Sequence, residues 1–345
     1  MLFFGLFWSA MVLLFDGFTV VPITRQVIAL RFPSTDGVIL SSEATQHEDN
    51  EDGTVFGVAF SYRYTVGGRE YSGRRYRYQN ASTSGSRWAN RIVAANPPGA
   101  KVAVYYNPAH PQDALLAPGV SGGDLFQLMF MTPFNVVMLG FWWAGWARLR
   151  RIWFKPPAGG VKIVSRLKQT RVRLTALSPL ATAMLTAAVL AFLSVFIVAF
   201  GLGGFHPTMR TMLAAWSVIL AGSLGAGVWH WVQVISGRYD LIIDEFNSSL
   251  ELPLTQGRKT RRRIPLASIE SVYVETIQPP KKDNESESTP ACAPTLKVCN
   301  EPNPTEWLVQ WHDADKAQEF VEWLRDKLPV KKSSFRADKP GPDAS

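Results

Sequence analysis

Residues 125–147 are LFQLMFMTPFNVVMLGFWWAGWA, and residues 148–175 continue as RLRRIWFKPPAGGVKIVSRLKQTRVRLT. The first segment has 23 positions without a charge, which is long enough for a helix to cross a hydrocarbon core of about 30 Å. The second segment carries nine basic residues and no acidic residue. An apolar run followed by a short basic loop predicts a membrane helix and a cytoplasmic loop.

Three further apolar runs have the same character. Together with residues 125–147, these runs predict four transmembrane helices, at residues 1–23, 125–147, 176–203 and 211–235. Helices are expected because lipid offers backbone groups no hydrogen-bond partners. The first run lacks a basic n-region and a clear A-x-A-like cleavage site, so an uncleaved signal anchor is favoured over a cleaved signal peptide.

The charge distribution predicts the orientation. Of the 345 residues 19% are charged, against about 25% in ordinary soluble domains, and the net charge is +8. Residues 24–124 carry ten basic and nine acidic groups, and residues 236–345 carry 16 and 18, so the positive excess lies in the basic loop at 148–175. This predicts a multi-pass protein of the cell (inner) membrane, with residues 24–124 extracytoplasmic and the C-terminus cytoplasmic. It also argues against nucleic acid as a partner.

Residues 32–120 have the pattern of a β-rich extracytoplasmic domain. Side chains in segment 55–66 alternate between two faces of a predicted strand, with Phe60, Tyr62 and Tyr64 on one face. The following Gly67-Gly68 favours a two-residue hairpin turn. A return strand is predicted at 70–78, a helix at 84–95 and a short strand at 101–106.

Several blocks of this segment resemble the domain-of-unknown-function family 3592. They are Pro33-Ser34-Thr35, Gly37-Val38-Ile39, Tyr62-x-Tyr64-x-Val66-x-Gly68-x-x-Tyr71, Val102-x-Val104-Tyr105-Tyr106-Asn107-Pro108-x-x-Pro111-x-x-Ala114 and Leu116-x-Pro118-Gly119. The resemblance implies a domain lying between two membrane helices, and it assigns no catalytic residues. Phe32 stands where the family pattern suggests Trp.

Residues 236–330 predict a cytoplasmic α+β domain. Strands are expected at 239–244, 249–253, 262–265, 269–275, 295–298 and 306–311, followed by an amphipathic helix that begins at Asp313. Residues 278–294 are interpreted as a flexible insertion and residues 331–345 as a disordered tail.

A series of strands followed by one C-terminal helix is similar to the bacterial pleckstrin-homology-like domains that follow membrane helices. The residues that carry this resemblance are Ile264-Pro265-Leu266-x-x-Ile269-x-x-Val272 and Trp307-x-Val309. The resemblance implies a binding or assembly module.

Two basic patches are candidate binding surfaces. The external patch would stack on sugars or hold anionic groups, or else form cross-strand packing; it consists of Arg74, Arg75, Tyr76, Arg77 and Tyr78. The second would attract an anionic membrane surface by about 1 kcal/mol per charge, or else form a solvated turn; it consists of Arg258, Lys259, Arg261, Arg262 and Arg263.

Asp16 is the only acidic residue inside a predicted span. Intramembrane carboxylates are often functional, and the alternative is placement near the outer interface. Cys292 and Cys299 have no second pair and no nearby histidine, so they are expected to be reduced structural thiols rather than metal ligands.

These features predict a non-enzymatic binding, scaffold or signal-relay component. The alternative is a transporter or lipid-handling subunit that uses Asp16. An enzyme is not expected, since the five histidines are scattered and no phosphate loop or usable catalytic triad is evident. No cofactor is expected. The expected partners are the lipid bilayer and another membrane or envelope protein, while an anionic lipid and an oligomer are left open.

Overall fold

The structure, a computed structural model, describes residues 2–49, 53–79, 86–154, 156–175, 177–202, 206–255, 257–277, 290–299 and 304–328. The helices are α1 (Leu2–Ile28), α2 (Ser86–Ala95), α3 (Gly122–Phe154), α4 (Pro179–Phe196), α5 (Met209–Ile235) and α6 (Ala314–Lys327). A π-helical segment, Ile197–Leu202, follows α4. The predicted disordered tail at 331–345 and residues 278–289 of the predicted insertion lie outside the described residues.

The strands are β1 (Ser34–Asp49), β2 (Gly53–Val66), β3 (Arg69–Gly73), β4 (Lys101–Asn107), β5 (His110–Leu115), β6 (Lys162–Arg166), β7 (Gln169–Arg173), β8 (Asp240–Asp244), β9 (Ser249–Glu251), β10 (Arg263–Pro265), β11 (Ile269–Ile277), β12 (Ala291–Val298) and β13 (Thr305–Trp307). By its internal contacts the chain divides into two units. The first comprises Met1–Trp143 and Ala183–Ala226, and the second comprises Ala144–Thr182 and Gly227–Ser345.

Within the described ranges, four helices are long and apolar enough to cross a membrane: α1, α3, α4 and α5. Their surfaces expose large apolar side chains, such as Phe3 and Trp143, that would be unfavourable in water. The helices extend beyond the predicted spans: α1 continues to Ile28 and α3 to Phe154. Basic side chains continue a helix well and can extend away from an apolar stretch, so the end of an apolar run need not be the end of the helix.

The β domain is a five-stranded antiparallel sheet in the order β3-β2-β1-β4-β5, accompanied by α2. The predicted apolar face of β2 is confirmed, because Phe60, Tyr62 and Tyr64 are buried in the core. The turn at Gly67 and Gly68 is also confirmed, with φ angles of 56° and 79° that favour glycine.

The return strand of this hairpin is shorter than predicted. β3 ends at Gly73, whereas the sequence favoured a strand to Tyr78. A Cβ atom at Gly73 would lie 2.3 Å from the ring of Tyr62, so the chain passes this ring closely. Residues 74–78 then leave the sheet and contact β5 and the ends of two long helices.

The C-terminal domain has two antiparallel sheets that share one core with α6. The sheet orders are β10-β9-β8-β7-β6 and β11-β12-β13. The predicted helix start is confirmed, since the Asp313 carboxylate accepts a hydrogen bond from the Lys316 amide at 2.9 Å. Residues 291–294, predicted to belong to a flexible insertion, are instead part of β12, where they pair with β11.

Residues 148–175, predicted to be a basic loop, contain an ordered part of this domain. β6 and β7 form a hairpin, and β7 pairs with β8 about 70 residues later in the chain. The Arg173 guanidinium lies 3.2 Å from the Asp240 carboxylate, and Val172 is buried in the core. The turn before β6 packs closely on α6, because a Cβ atom at Gly159 would lie 2.5 Å from the carbonyl oxygen of Lys316. One positive charge of the basic segment is therefore paired with Asp240 of the distant strand β8.

Candidate functional site

The predicted external patch, residues 74–78, makes contacts inside the first unit. The Tyr76 ring stacks on Phe60 with 5.1 Å between the ring centroids. The Tyr78 hydroxyl donates to the Asp113 carboxylate at 2.9 Å, and burial together with this bond raises the pKa of Tyr78 to about 12. Arg75 forms an ion pair with the same carboxylate, and its guanidinium lies 4.8 Å from the centre of the Tyr78 ring.

Arg77 joins this segment to the start of α3. Its guanidinium donates to the Asp124 carboxylate and to the Gly119 carbonyl, both at 2.7 Å. The Arg77 side chain is 16% exposed and the Asp124 side chain 3%. Asp124 also accepts hydrogen bonds from the amide and hydroxyl of Ser121, so it closes the first turn of α3. A carboxylate at this helix end is further stabilised by the helix dipole.

Gln26 joins the same segment to the last turn of α1. Its side chain is fully buried. The amide nitrogen donates to the carbonyls of Ala117 and Gly119 at 2.6 and 3.1 Å, and the amide oxygen accepts from the Tyr78 backbone N–H at 3.0 Å. We refer to Gln26, Arg77, Tyr78, Gly119 and Asp124 as the juxtamembrane junction. The junction fixes the β domain to two long helices through buried polar contacts.

Of the predicted external patch, only part remains open to solvent. Arg74 and Arg75 are exposed, whereas Tyr76, Arg77 and Tyr78 are half-buried in the contacts described above. Gln26 and Asp124 were not predicted as site residues. The Ser121-x-x-Asp124 spacing is a capping-box pattern that could have indicated the role of Asp124, while a single glutamine after an apolar run carries no such signal.

Asp16 faces a crevice of about 450 Å³ in the first unit. Asn135 of α3 donates to its carboxylate at 3.0 Å. Asp16 lies twelve residues before the end of α1, which corresponds to about 18 Å along the helix axis. The crevice is otherwise mainly apolar; its lining comprises Asp16, Val20, Leu128, Met131, Thr132, Asn135, Val136 and Trp216. The carboxylate therefore has a polar partner within the helical part of the unit rather than at a helix end.

The second basic patch is largely ion-paired. Arg258 donates to the Glu306 carboxylate and to the Trp307 carbonyl at 2.6 Å, and Arg262 also pairs with Glu306. Glu251 lies 3.7 Å from Arg261, and it accepts from Arg263 at 3.1 Å. A cavity of about 550 Å³ lies beside the turn. These contacts tie the turn to β9 and β13, and two glutamates offset part of its positive charge.

No group of three or more His, Cys, Asp or Glu side chains suited to a metal ion occurs in the part of the chain that the structure describes. Cys292 is buried and Cys299 is exposed, and both are free thiols.

Comparison with known families gives one match. Residues 35–121, about a quarter of the chain, match the family described as a domain of unknown function, DUF3592. The match covers nearly all of the β domain. No curated protein and no solved structure matches the chain.

Proposed function

We propose that this protein is a non-enzymatic multi-pass protein of the cell membrane that binds a partner and relays its state along the chain. In this proposal the β domain lies outside the cell, and the C-terminal domain is a cytoplasmic pleckstrin-homology-like module. The observation that carries the proposal is the juxtamembrane junction. It attaches the β domain to the end of α1 and to the start of α3 at the same time.

The physical basis of the relay is the burial of these contacts. A partner that favours one arrangement of residues 74–78 also favours one arrangement of the two helix ends, because Arg77 and Gln26 cannot leave their partners without exposing or orphaning buried polar groups. A surface ion pair would transmit much less, since exposed pairs contribute only about 0–1 kcal/mol.

The first test measures whether the junction holds the β domain to α3. Spin labels at Lys101→Cys in β4 and Phe130→Cys in α3, in a Cys299→Ser background, should give a narrow distance distribution in lipid nanodiscs. Arg77→Ala should broaden it. Arg63→Ala is the matched control, since it removes an exposed pair with Glu70 from the same domain. If the distance distribution of Arg77→Ala is as narrow as that of Arg63→Ala, the relay is overturned.

The second test addresses the partner. Wild-type protein and Arg77→Ala would be extracted in native polymer nanodiscs and the co-purifying proteins and lipids identified by mass spectrometry. A stoichiometric protein that is lost on deletion of residues 236–330, or in Arg77→Ala, would support the scaffold or relay function. Co-purification of an enriched lipid or small molecule without a protein would count against it.

The crevice at Asp16 favours one alternative, a transporter or lipid-handling subunit. A carboxylate beside apolar side chains would suit an amphiphile with a polar or cationic group. Asp16→Asn should then abolish substrate movement while expression is retained. Thr132→Val, which alters the same crevice without removing a charge, is the control. A relay protein should tolerate Asp16→Asn.

A further inference from the structure

Two large apolar side chains are fully or mostly exposed at adjacent turns of the C-terminal domain. Leu167, between β6 and β7, has its side chain wholly in solvent, and Phe246, between β8 and β9, is 78% exposed. The turns are neighbours because β7 pairs with β8, with Gln169 opposite Asp244. The Glu245 backbone N–H donates to the Lys168 carbonyl at 3.0 Å, which links the two turns directly. We refer to Leu167 and Phe246 as the apolar tips.

The turn that carries Phe246 is held in place by one carboxylate. Asp244 accepts from the backbone N–H groups of Phe246 and Asn247, both at 3.0 Å, and from the Asn247 side chain at 2.9 Å. It also accepts from the Gln169 side chain at 3.2 Å, which ties it to the neighbouring hairpin. The hydrogen bonds from Asn247 and Gln169 lower the pKa of Asp244 to about 2, so this carboxylate is ionised at neutral pH.

The backbone of the two turns is strained, since Leu167 has φ = 52° and Ser248, two residues after Phe246, has φ = 47°. The left-handed region disfavours residues other than glycine, asparagine and aspartate. An exposed leucine held at positive φ gains nothing in the folded chain from either its side chain or its backbone. Positive φ at an exposed leucine, on a turn linked to a second exposed apolar side chain, makes this pair a candidate for contact outside the domain.

The charge around the tips indicates what that contact is. Arg166 and Lys168 flank Leu167 and are exposed, and Lys162 and Arg171 are exposed on the same hairpin. Leu167, flanked by cations, matches the interface of an anionic membrane, where an apolar side chain enters the acyl boundary and the cations meet phosphates. Glu245 is an exposed acid beside Phe246, so the positive charge belongs to the hairpin that carries Leu167. The proposed bilayer is within reach of this domain, because seven residues separate α3 from β6 and four separate α5 from β8.

We propose that Leu167 and Phe246 insert into the interface of the bilayer that the long helices span, with Arg166 and Lys168 on anionic lipid phosphates. This inference rests on the proposed membrane location. The helix connections enter at the opposite end of β6, β7 and β8 from the tips, and a five-residue strand spans about 16 Å. Insertion therefore requires these strands to run along the bilayer surface rather than away from it.

The test uses the full chain in nanodiscs, with an environment-sensitive fluorophore on Leu167→Cys or Phe246→Cys in a Cys299→Ser background. Gln318→Cys is the control, since Gln318 is exposed on α6 and belongs to neither the apolar tips nor the basic patch. With phosphatidylglycerol present, both tip labels should shift to the blue and be quenched by nitroxide-labelled lipid, while the control label should do neither. Replacing Arg166 and Lys168 with Gln should lower the equilibrium constant for insertion of the tips about fivefold per residue.

Three results would overturn the proposal. Tip labels that stay accessible to aqueous iodide would show that the tips do not touch the bilayer. Labels that are shielded from iodide but not quenched by labelled lipid would show that a protein, including a second copy of this chain, covers the tips. Extraction of the chain by alkaline carbonate would contradict the proposed membrane location itself. Resistance to extraction, together with either of the first two results, would leave the membrane location intact and remove only the insertion of the tips.

Discussion

The juxtamembrane junction and the apolar tips use their side chains in opposite ways. At the junction, charged and polar groups such as Arg77 and Asp124 are buried against one another. At the tips, Leu167 and Phe246 are left in solvent while the polar Asp244 organises the turn beneath them. A basic and aromatic segment can therefore be packed within the protein, while a segment interpreted as a loop can be ordered and expose apolar side chains. Burial decides which groups are available to a partner.

The largest effect is expected from Arg77→Ala. It leaves the nearly buried Asp124 carboxylate with donors only from Ser121, and breaking a buried pair from one side typically costs about 3–5 kcal/mol. The thermal midpoint of the β domain, followed by near-UV circular dichroism in nanodiscs, should fall sharply. Arg63→Ala, at an exposed pair, should cost less than about 1 kcal/mol. Equal losses in the two variants would remove the contrast between buried and surface contacts.

A smaller loss is expected from Gln26→Leu, which keeps the volume of the side chain but removes its amide. The Ala117 carbonyl and the Tyr78 backbone N–H would lose their partner in a fully buried site, at a cost of about 1–3 kcal/mol. Thr24→Val is the control on the same helix, because its hydroxyl bonds only to the preceding turn and is exposed. If the two variants have the same thermal midpoint, Gln26 does not anchor the β domain.

The turn beneath the tips should respond to acid. The pKa of Asp244 is lower in the folded chain, about 2, than its ordinary value of 3.8, so its contribution to stability is present above about pH 4. That contribution is lost as the pH falls from about 4 toward about 2. Asp244→Asn should remove this part of the acid sensitivity of the C-terminal domain, which can be followed by the emission of a label at Phe246→Cys. An unchanged acid profile would mean that the carboxylate does not hold the turn.

The smallest effect on stability is expected at Leu167. Leu167→Gly removes a wholly exposed side chain and relieves a positive φ, so the C-terminal domain should be unchanged or more stable by about 1 kcal/mol. The same variant should weaken contact of the remaining tip, labelled at Phe246→Cys, with anionic nanodiscs. A clear loss of stability would show that Leu167 packs within the protein. The contrast between exposed side chains at the tips and buried side chains at the junction would then be weaker.

Much of the secondary structure followed from local pattern. The four apolar runs, the alternation of β2, the Gly67-Gly68 turn and the helix that starts after Asp313 all depend on neighbours within a few residues. The hairpin at β6 and β7 was missed because its partner, β8, lies about 70 residues away, and its charges resembled those of a solvated loop. The contact of Asp16 with Asn135 was missed for the same reason, since 119 residues separate them.

The sequence by itself determined that the chain carries four apolar helices, a β domain between the first two of them and the part of a second sheet-rich domain that follows the last, because hydrophobic length and periodicity are local properties. Only the tertiary structure decided which charges are available to partners. Arg77, Arg258 and Arg262 have the same chemistry as Arg166, yet the first three meet carboxylates supplied by distant segments while Arg166 is exposed beside an exposed leucine. Those pairings depend on how remote elements pack, and so composition and spacing did not reveal them.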